Sequence, residues 1–294
     1  MQYLFHKLIA LDQNILTVIL ITLFFTSEQL LQTPHKFSKR GGHFINNLPF
    51  IVIITALFYV LTIYIVASIQ WLNDHHVGLF YFFYVPYAIK VVVGVGCFDL
   101  TSYWLHRISH KIPLLWRLHR VHHSDTSMDS STYFRGHPVE SINFAIGNVV
   151  AAAFFGLDIN ILTLYFVILI PVQILEHANI EFPQSIDRIF GKVFTTPNLH
   201  KIHHHQYQYY TDSNFADIFI LWDRLFGTYK YVPVKEITYG LQEFDDNKKQ
   251  TFWYLLISPF KNIERVKKLK ESSLHAVTKN NNLLTGVGVN EKNI

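Results

Sequence analysis

The sequence predicts an all-α integral membrane protein whose histidine-rich segments lie together on one side of the membrane. Half of the 294 residues are hydrophobic and only 16% are charged, against about 25% in a typical soluble domain. Long apolar stretches recur along the first 175 residues, and a hydrocarbon core of about 30 Å needs roughly 20 such residues. Eleven of the 17 histidines fall between His106 and His205, which concentrates them in one region.

Four apolar stretches account for the membrane-embedded part of this prediction. The first, residues 8–31, is the weakest, because its apolar core is short and is flanked by polar residues. Residues 48–69 form an uncharged span, and residues 77–98 form a similar one apart from Lys90, in which a proline is predicted to kink the helix. Residues 141–175 are too long for one crossing. A Gly-Leu-Asp turn at 156–158 divides them into a helical hairpin that enters and leaves on the same side.

Lysine and arginine in the short loops predict the orientation. Basic side chains follow the first and third spans and are absent from the loop at 73–76. Because positively charged loops stay in the cytoplasm, residues 32–47 and everything after about residue 104 are predicted to be cytoplasmic, with every histidine cluster. The first stretch lacks a basic leader and a small-residue cleavage site, so we expect no secretory signal peptide.

The composition also predicts how the chain is divided. Residues 1–105 are predicted to carry the N-terminal membrane spans, and the segments on either side of the hairpin are polar and rich in histidine. Residues 231–275 are predicted to contain a basic helix lying on an anionic membrane surface, because an aromatic and aliphatic run precedes five basic side chains. An amphipathic helix docked on the domain fits that pattern equally well. Residues 276–294 are predicted to be disordered.

Three runs of histidine carry the chemical information. They read HxxxH at 106–110, HxxHH at 119–123 and HxxHHH at 200–205. Residues three and four apart share a helix face, so each run aims at least two imidazoles at one point. Burying so many imidazoles without partners is costly, and metal ions satisfy several neutral imidazoles at once. The candidate ligands in these runs are His106, His110, His119, His122, His123, His200, His203 and His204.

The histidines outside these runs have to be weighed one by one. His177 lies where the hairpin leaves the membrane, and we favour it as a ligand. His137 precedes a proline at a turn or helix start, where a ligand and a supporting role fit equally well, and it is kept as a candidate ligand. His205 points off the shared face, so a supporting or solvated position is expected. Ordinary structural or solvated roles are expected for His6, His35, His43, His75, His76 and His275.

The ligand number and the cysteine count limit the metal site. One cysteine, Cys97, excludes an internal disulfide, a four-cysteine zinc site and an iron–sulfur cluster, so nitrogen and oxygen must hold any metal. Zinc prefers four ligands, and eight or more histidines therefore imply two ions. Imidazole suits zinc, copper, iron and nickel alike. A site next to lipid, without a serine or cysteine nucleophile motif, favours oxygen chemistry on an apolar substrate over hydrolysis.

Carboxylates are expected behind the histidines. Neutral imidazoles cannot cancel the charge of two metal ions, so carboxylates should hydrogen-bond to the ligands and orient them. The candidates for this role are Asp99, Asp125, Glu140, Glu176 and Asp217. The net charge of +4 is modest, and beside so many apolar spans it indicates contact with anionic lipid headgroups and no nucleic-acid partner.

The motifs taken together resemble a known family. They are Asp99–His110, Leu115–Asp125, Arg135–Pro138, Glu176–Asn179, Pro197–His204, Thr211–Asn214 and Leu221–Tyr229. Over about residues 95–230 the chain resembles the fatty acid hydroxylase/sterol desaturase superfamily of integral-membrane di-iron oxygenases. The resemblance implies a four-helix-type transmembrane stem under a cytoplasmic histidine-rich helical cap. It also implies two iron ions held by the HxxxH and HxxHH histidines, and electrons from a separate reductase with a cytochrome- or ferredoxin-like carrier.

The function implied by this resemblance is an O2-dependent lipid monooxygenase. Such an enzyme hydroxylates or desaturates a C–H bond in lipid biosynthesis or modification, and we favour hydroxylation. Zinc is expected as a possible substitute for iron in purified protein. The alternative is a di-zinc membrane hydrolase or isomerase that acts on a lipid without O2. A metal transporter is disfavoured, because between residues 48 and 98 only Asp74 and Lys90 are charged and a pathway needs more ionisable groups.

Overall fold

The computed structural model describes residues 13–30 and 40–264, and within these ranges the protein is built from helices and contains no strand. An isolated β-bridge joins His205 to Tyr239. Four helical segments in the described ranges are long and apolar enough to cross a membrane, by their length and composition. The prediction of an all-α protein with a four-helix-type membrane stem is therefore confirmed, while the cytoplasmic orientation stays a prediction.

Long helices make the stem, and short helices make the cap that carries most of the histidines. The α-helices are α1 (Gln13–Leu30), α2 (Arg40–Asp74), α3 (Tyr87–Lys111), α4 (Pro113–His123), α5 (Pro138–Phe155), α6 (Ile159–His177), α7 (Gln184–Phe190), α8 (Pro197–His203), α9 (Gln208–Thr211), α10 (Leu221–Leu225) and α11 (Phe252–Ile257). Short 3₁₀-helices lie at Leu79–Tyr81, Ser130–Phe134, Val234–Glu236, Gln242–Phe244, Asn247–Gln250 and Ser258–Phe260.

The third membrane helix begins later than the sequence pattern predicted. Pro86 directly precedes α3, so the proline starts the helix instead of kinking it. The missing N–H of a proline costs nothing at a helix start, where the first N–H groups have no partner within the helix. The predicted span at 77–98 is therefore wrong in its limits. α3 runs unbroken to Lys111 and carries His106 and His110 at its end.

A tight turn joins α5 to α6 in the segment where a helical hairpin was expected. Gly156 adopts a left-handed conformation with φ of 75°, and its N–H binds the carbonyl of Ala152 to close α5. Glycine is favoured here because a side chain strains this conformation. The Asp158 side chain then accepts the N–H groups of Asn160 and Ile161 and caps the start of α6.

The stem has an apolar interior and an apolar exterior. Side chains such as Ile69, Phe98 and Ile161 are fully or almost fully buried where α2, α3, α5 and α6 meet. On the outside, Val92 and Phe154 are 74% and 67% exposed. A helix that is apolar all round suits a lipid environment, because no face of it needs water.

The cap places the histidine-bearing helices against the ends of the stem. α4 packs against α3, and α8 packs against α6. A second apolar cluster that includes Met128, Leu199 and Ile202 supports α8 from the other side. The chain thus brings its HxxxH, HxxHH and HxxHHH runs to one level at the edge of the stem.

The predicted basic interfacial helix falls partly outside the described residues. Its aromatic part forms α11 and the following 3₁₀-helix, and Leu255 packs inward while Trp253 and Phe260 are 72% and 76% exposed. The basic residues from position 265 onward and the tail predicted to be disordered at 276–294 lie outside the described ranges. His6, His35 and His275 lie outside them as well.

Candidate metal centre

Nine buried histidines meet where α3, α4, α6 and α8 come together. Each residue offers one ring nitrogen, and within each group these nitrogens all lie within 4.8 Å of one another. That spread is close to twice a metal–imidazole bond of roughly 2.1 Å, so one central ion per group is within reach of the ligands. Group 1 contains His106, His110, His119, His123 and His203, and group 2 contains His122, His177, His200 and His204.

Each HxxHH helix serves both groups. In α4 the histidines four residues apart, His119 and His123, belong to group 1, while the histidine between them belongs to group 2. α8 and the residue that follows it have the reverse arrangement, with His200 and His204 in group 2 and His203 in group 1. Residues four apart lie almost above one another on a helix, whereas the intervening residue points to a different side. The spacing therefore directs the histidines of one helical turn into two neighbouring groups.

Ring nitrogens face one another across both groups. In group 1, Nε2 of His119 lies 2.9 Å from Nε2 of His123. In group 2, Nε2 of His177 lies 3.1 Å from Nε2 of both His122 and His200. Two ligands at a right angle on one ion, each at roughly 2.1 Å, are about 3.0 Å apart. The spacing of the imidazoles is that of metal ligands.

Backbone carbonyls define which ring nitrogen carries the hydrogen in four histidines of the two groups. A carbonyl only accepts, so the Nδ1 atom that contacts it must be the donor, and the lone pair of Nε2 is left facing the group. The Nδ1 donors and their acceptors are His106 with Phe215 (2.7 Å), His122 with Arg135 (3.2 Å), His177 with Gln173 (2.7 Å) and His203 with Ser213 (2.8 Å).

Burial keeps the cap histidines neutral. Burial lowers the pKa of His119 to about 3. Burial, together with the neighbouring imidazoles, also holds the pKa values of five others well below the ordinary histidine value of about 6.5; these are His122, His123, His200, His203 and His204. Neutral imidazoles keep the lone pair that a metal ion needs. The donor set therefore fits two divalent ions bound by nitrogen.

Two carboxylates contact histidines of the two groups directly. Oε1 of Glu140, a predicted supporting residue, lies 2.5 Å from Nδ1 of His119. Oδ1 of Asp212 lies 3.3 Å from Nδ1 of His110, and the sequence reasoning did not identify this aspartate. A carboxylate behind a ligand imidazole orients the ring and increases its basicity.

The other predicted carboxylates act at a greater distance from the imidazoles. Oε2 of Glu176 is 3.8 Å from Nδ1 of His200, which is too long for a hydrogen bond. Asp217 accepts from the Ser102 hydroxyl at 2.5 Å and also from the Gln173 amide.

Asp99 and Asp125 hold backbone and side chains near the histidines. Asp99 accepts the backbone N–H groups of Ile218 and Phe219 and the Trp222 indole N–H. Asp125 contacts Nε2 of His43 at 2.8 Å and accepts from the Thr132 hydroxyl. Asp99 thus attaches α3 to residues 218–222, and Asp125 attaches the segment after α4 to α2.

His137 lies outside both groups, so the structure does not bring it in as a ligand. Its Nδ1 accepts the N–H of Val139 at 3.3 Å, and its Nε2 contacts the Leu256 carbonyl at 3.2 Å. Both ring nitrogens are thus engaged. The physical reason is its position before Pro138, where it caps an N–H that has no partner inside α5.

Two further histidines behave differently from one another. His43, which was expected to have an ordinary role, joins Asp125 to Asp129, at 2.8 and 3.1 Å. No local motif signals this contact, because His43 and Asp125 are 82 residues apart. His205 is buried outside both groups, where its Nδ1 accepts the N–H of Tyr207. His205 therefore supports the cap and does not face solvent.

An apolar cavity of about 850 Å³ leads from the stem to both groups. One end of it is lined by histidines of both groups, among them His106 and His177, and its wall along α2 extends from Ile54 to Gln70. The 16 helical steps between these two residues correspond to about 24 Å. Small-molecule sites commonly measure about 300–1,000 Å³ and are mostly apolar. The cavity has the size and lining for a lipid-like ligand beside the histidines.

Comparison with known proteins identifies relatives of this region. Residues 91–228 match the fatty acid hydroxylase family model. The chain is 31% identical to alkylglycerol monooxygenase of Caenorhabditis elegans over 45% of its own length. It is 26% identical to ornithine lipid hydroxylase OlsE of Rhizobium tropici over 50%, and 29% identical to methylsterol monooxygenase 2-2 of Arabidopsis thaliana over 45%. No solved structure matches the chain.

The matched regions are parts of longer relatives. They cover 25% of the nematode protein, 44% of the bacterial one and 49% of the plant one. The matched region of the chain therefore spans less than half the length of each of these three relatives. All nine histidines of the two groups lie inside the matched residues 91–228, whereas α1 and α2 lie before them.

Proposed function

We propose that this chain, whose residues 91–228 belong to the fatty acid hydroxylase/sterol desaturase superfamily, is a membrane-bound, O2-dependent enzyme that hydroxylates a C–H bond of a lipid. The observation that carries the proposal is the cavity of about 850 Å³, because it connects apolar walls with histidines of both groups. A hydrocarbon held there has no polar group to be hydrolysed, and oxidation at a C–H bond is the chemistry left to it.

Two iron ions are proposed as the cofactor, one in each histidine group. The inward Nε2 atoms, the low histidine pKa values and the separation of the nitrogens support a pair of divalent ions. Among the metals that imidazole suits, iron is one that is used for O2 chemistry. When bound, it would supply the activation of O2 that C–H hydroxylation requires. The relatives that are named monooxygenases or hydroxylases support iron over zinc.

The protein side chains orient and shield the reaction. Glu140 and Asp212 hold the Nδ1–H groups of His119 and His110, so these rings keep one orientation. The apolar wall formed by α2, α5 and α6 would limit the access of water to the cavity end next to the histidines. A substrate that enters from the lipid phase would thereby be held with its reactive C–H group beside the histidines, where little water competes for the same space.

Lipid, membrane and an electron donor are the proposed partners. Hydroxylation with O2 needs two electrons in addition to those of the substrate C–H bond. We expect a separate reductase with a cytochrome- or ferredoxin-like carrier to deliver them on the cytoplasmic side. The lysine and arginine distribution supports that side, because basic loops follow the first and third spans.

The test uses the full chain in detergent or lipid nanodiscs, prepared without oxygen and loaded with Fe²⁺. We expect about two irons per chain, one for each group, and O2 uptake that depends on added lipid, reductase and carrier. The alcohol product should carry ¹⁸O from ¹⁸O2. A product without the label would refute hydroxylation. Lipid turnover that persists without oxygen in zinc-loaded protein would refute the oxygenase and favour a di-zinc hydrolase or isomerase.

His75 provides a matched control for the ligands. It is exposed just beyond α2 and distant in sequence from both groups. His75→Ala should bind iron as the unmodified chain does, whereas His122→Ala and His203→Ala should each reduce the iron content. If both of these variants keep the full iron content, the proposed ligand groups are wrong.

A further inference from the structure

Two fully buried charged side chains lie on opposite sides of the segment that follows α6. Glu28 of α1 is 1% exposed, and Lys201 of α8 is 0% exposed. Charged side chains are almost never fully buried unless they are paired. Neither residue belongs to a histidine group, and Glu28 lies outside the family-matched residues.

Glu28 binds two backbone N–H groups. Its Oε1 accepts the N–H of Asn179 and the N–H of Ser130, each at 3.0 Å. Asn179 follows the ligand His177 by two residues. Hydrogen bonds from N–H groups to a carboxylate are stronger than those between neutral groups, so α1 holds the end of α6 in place.

Lys201 binds the same segment from the other side. Its Nζ donates to the carbonyls of Ala178 and Ile180, at 2.7 and 2.8 Å. The residue before it, His200, is a group 2 histidine whose Nε2 lies 3.1 Å from Nε2 of His177. The ammonium group therefore ties α8 to the segment that follows the end of α6.

The contacts form a continuous connection between opposite charges. The Glu28 carboxylate receives an N–H of the segment 178–180, and the carbonyls of this segment receive the Lys201 ammonium. The peptide groups between them are oriented by both charges. We propose that Glu28 and Lys201 are positioning residues, a charge pair bridged by residues 178–180 that sets the separation of His177 and His200 in group 2.

The bridged pair makes a specific energetic prediction. Removing one partner of a buried charge pair leaves the other charge uncompensated, and this is more harmful than removing both. Glu28→Gln retains an oxygen that can accept both N–H groups but loses the charge. Lys201→Gln loses the opposite charge. The effects of the two substitutions should be coupled, so that the double variant is less affected than their separate effects predict.

Metal binding by the full chain tests this inference, which rests on the proposed metal centre. The single variants, the double variant and the unmodified chain are titrated anaerobically with Co²⁺, whose visible absorption reports each occupied site. Metal content is measured in parallel. We expect the unmodified chain to bind two ions, and each single variant to bind its second ion about 10–100-fold more weakly, with the first unaffected. The double variant should recover part of that loss.

Glu181 is the matched control. It is exposed and acts electrostatically on Lys201, so Glu181→Gln removes a nearby charge without touching the bridge. This variant should bind both ions normally.

Three results would overturn the inference. The first is a normal affinity for both ions in both single variants. The second is a single variant in which the affinities for the two ions are weakened equally. The third is failure of all three variants to fold, because the pair would then be a requirement of the whole fold. If the unmodified chain itself binds no metal, the proposed function fails first, and this outcome is distinct from a failure of the bridge.

Discussion

The contact between Glu140 and His119 offers the most direct test of the metal centre. The carboxylate oxygen lies 2.5 Å from Nδ1 of the ring, and both side chains are almost fully buried. A negative charge at this position makes the opposite nitrogen, Nε2, a better donor to a cation. Glu140→Gln keeps the size and an acceptor oxygen and removes only the charge. The substitution therefore tests how the carboxylate charge polarises the imidazole of His119, while the orientation of the ring is kept.

The magnitude follows from the strength of this hydrogen bond. Hydrogen bonds to charged groups contribute about 1.5–3 kcal/mol, whereas neutral ones contribute about 0.5–1.5 kcal/mol. The substitution should therefore cost about 1–1.5 kcal/mol of metal binding, which corresponds to roughly a tenfold weaker affinity. The loss should be confined to group 1, because His119 belongs to that group.

The assay is an anaerobic Co²⁺ or Fe²⁺ titration of the full chain, followed by lipid hydroxylation at saturating metal. Glu236→Gln is the control, since Glu236 is exposed and lies outside both groups. The expected result is weakened binding of one ion in Glu140→Gln and none in the control. Unchanged affinity for both ions in Glu140→Gln would refute the assignment of Glu140 as the group that polarises His119.

Three further predictions concern the surroundings of the groups. His137→Ala should leave the metal content, measured by metal analysis, at the level of the unmodified chain. It should lower the free energy of unfolding by about 1 kcal/mol through loss of the α5 cap, as measured by thermal unfolding. Loss of a metal ion would instead make His137 a ligand. Ala145→Phe, which fills part of the cavity, should raise the KM for lipid at unchanged metal content, and an unchanged KM would place the substrate elsewhere. Trp253→Ser should reduce the blue shift of tryptophan fluorescence on transfer from detergent to anionic vesicles, because Trp253 is 72% exposed; an equal shift would mean that α11 does not contact the bilayer.

Local patterns in the sequence account for the helices and for the histidine runs. Apolar stretches and the HxxxH and HxxHH spacings depend on neighbouring residues, so a helix period is enough to predict them. His177 could be included because its place at the end of the hairpin put it at the level of the other histidines. The role of a proline is harder to predict. Pro86 suits a kink and a helix start equally well until its neighbours are known.

Contacts between distant segments could not be predicted in this way. Asp212 lies 102 residues from His110, and His43 lies 82 residues from Asp125, so no spacing rule connects them. The division of each HxxHH run between two ions was also beyond the sequence. Spacing states which histidines share a helix face, but only the packing of α4 against α3, and of α8 against α6, determines what each face meets.

The division of α4 and α8 between the two groups has a consequence for how the chain can change over generations. A single-residue deletion between His119 and His122 rotates the following histidines by about 100° relative to the preceding one. His123 then takes the angular position that His122 held and faces group 2, while group 1 loses one of its histidines. One such deletion therefore changes which histidines each group receives. We therefore expect length changes to be confined to the loops around α4 and α8, because a change inside either helix redistributes the histidines between the two groups.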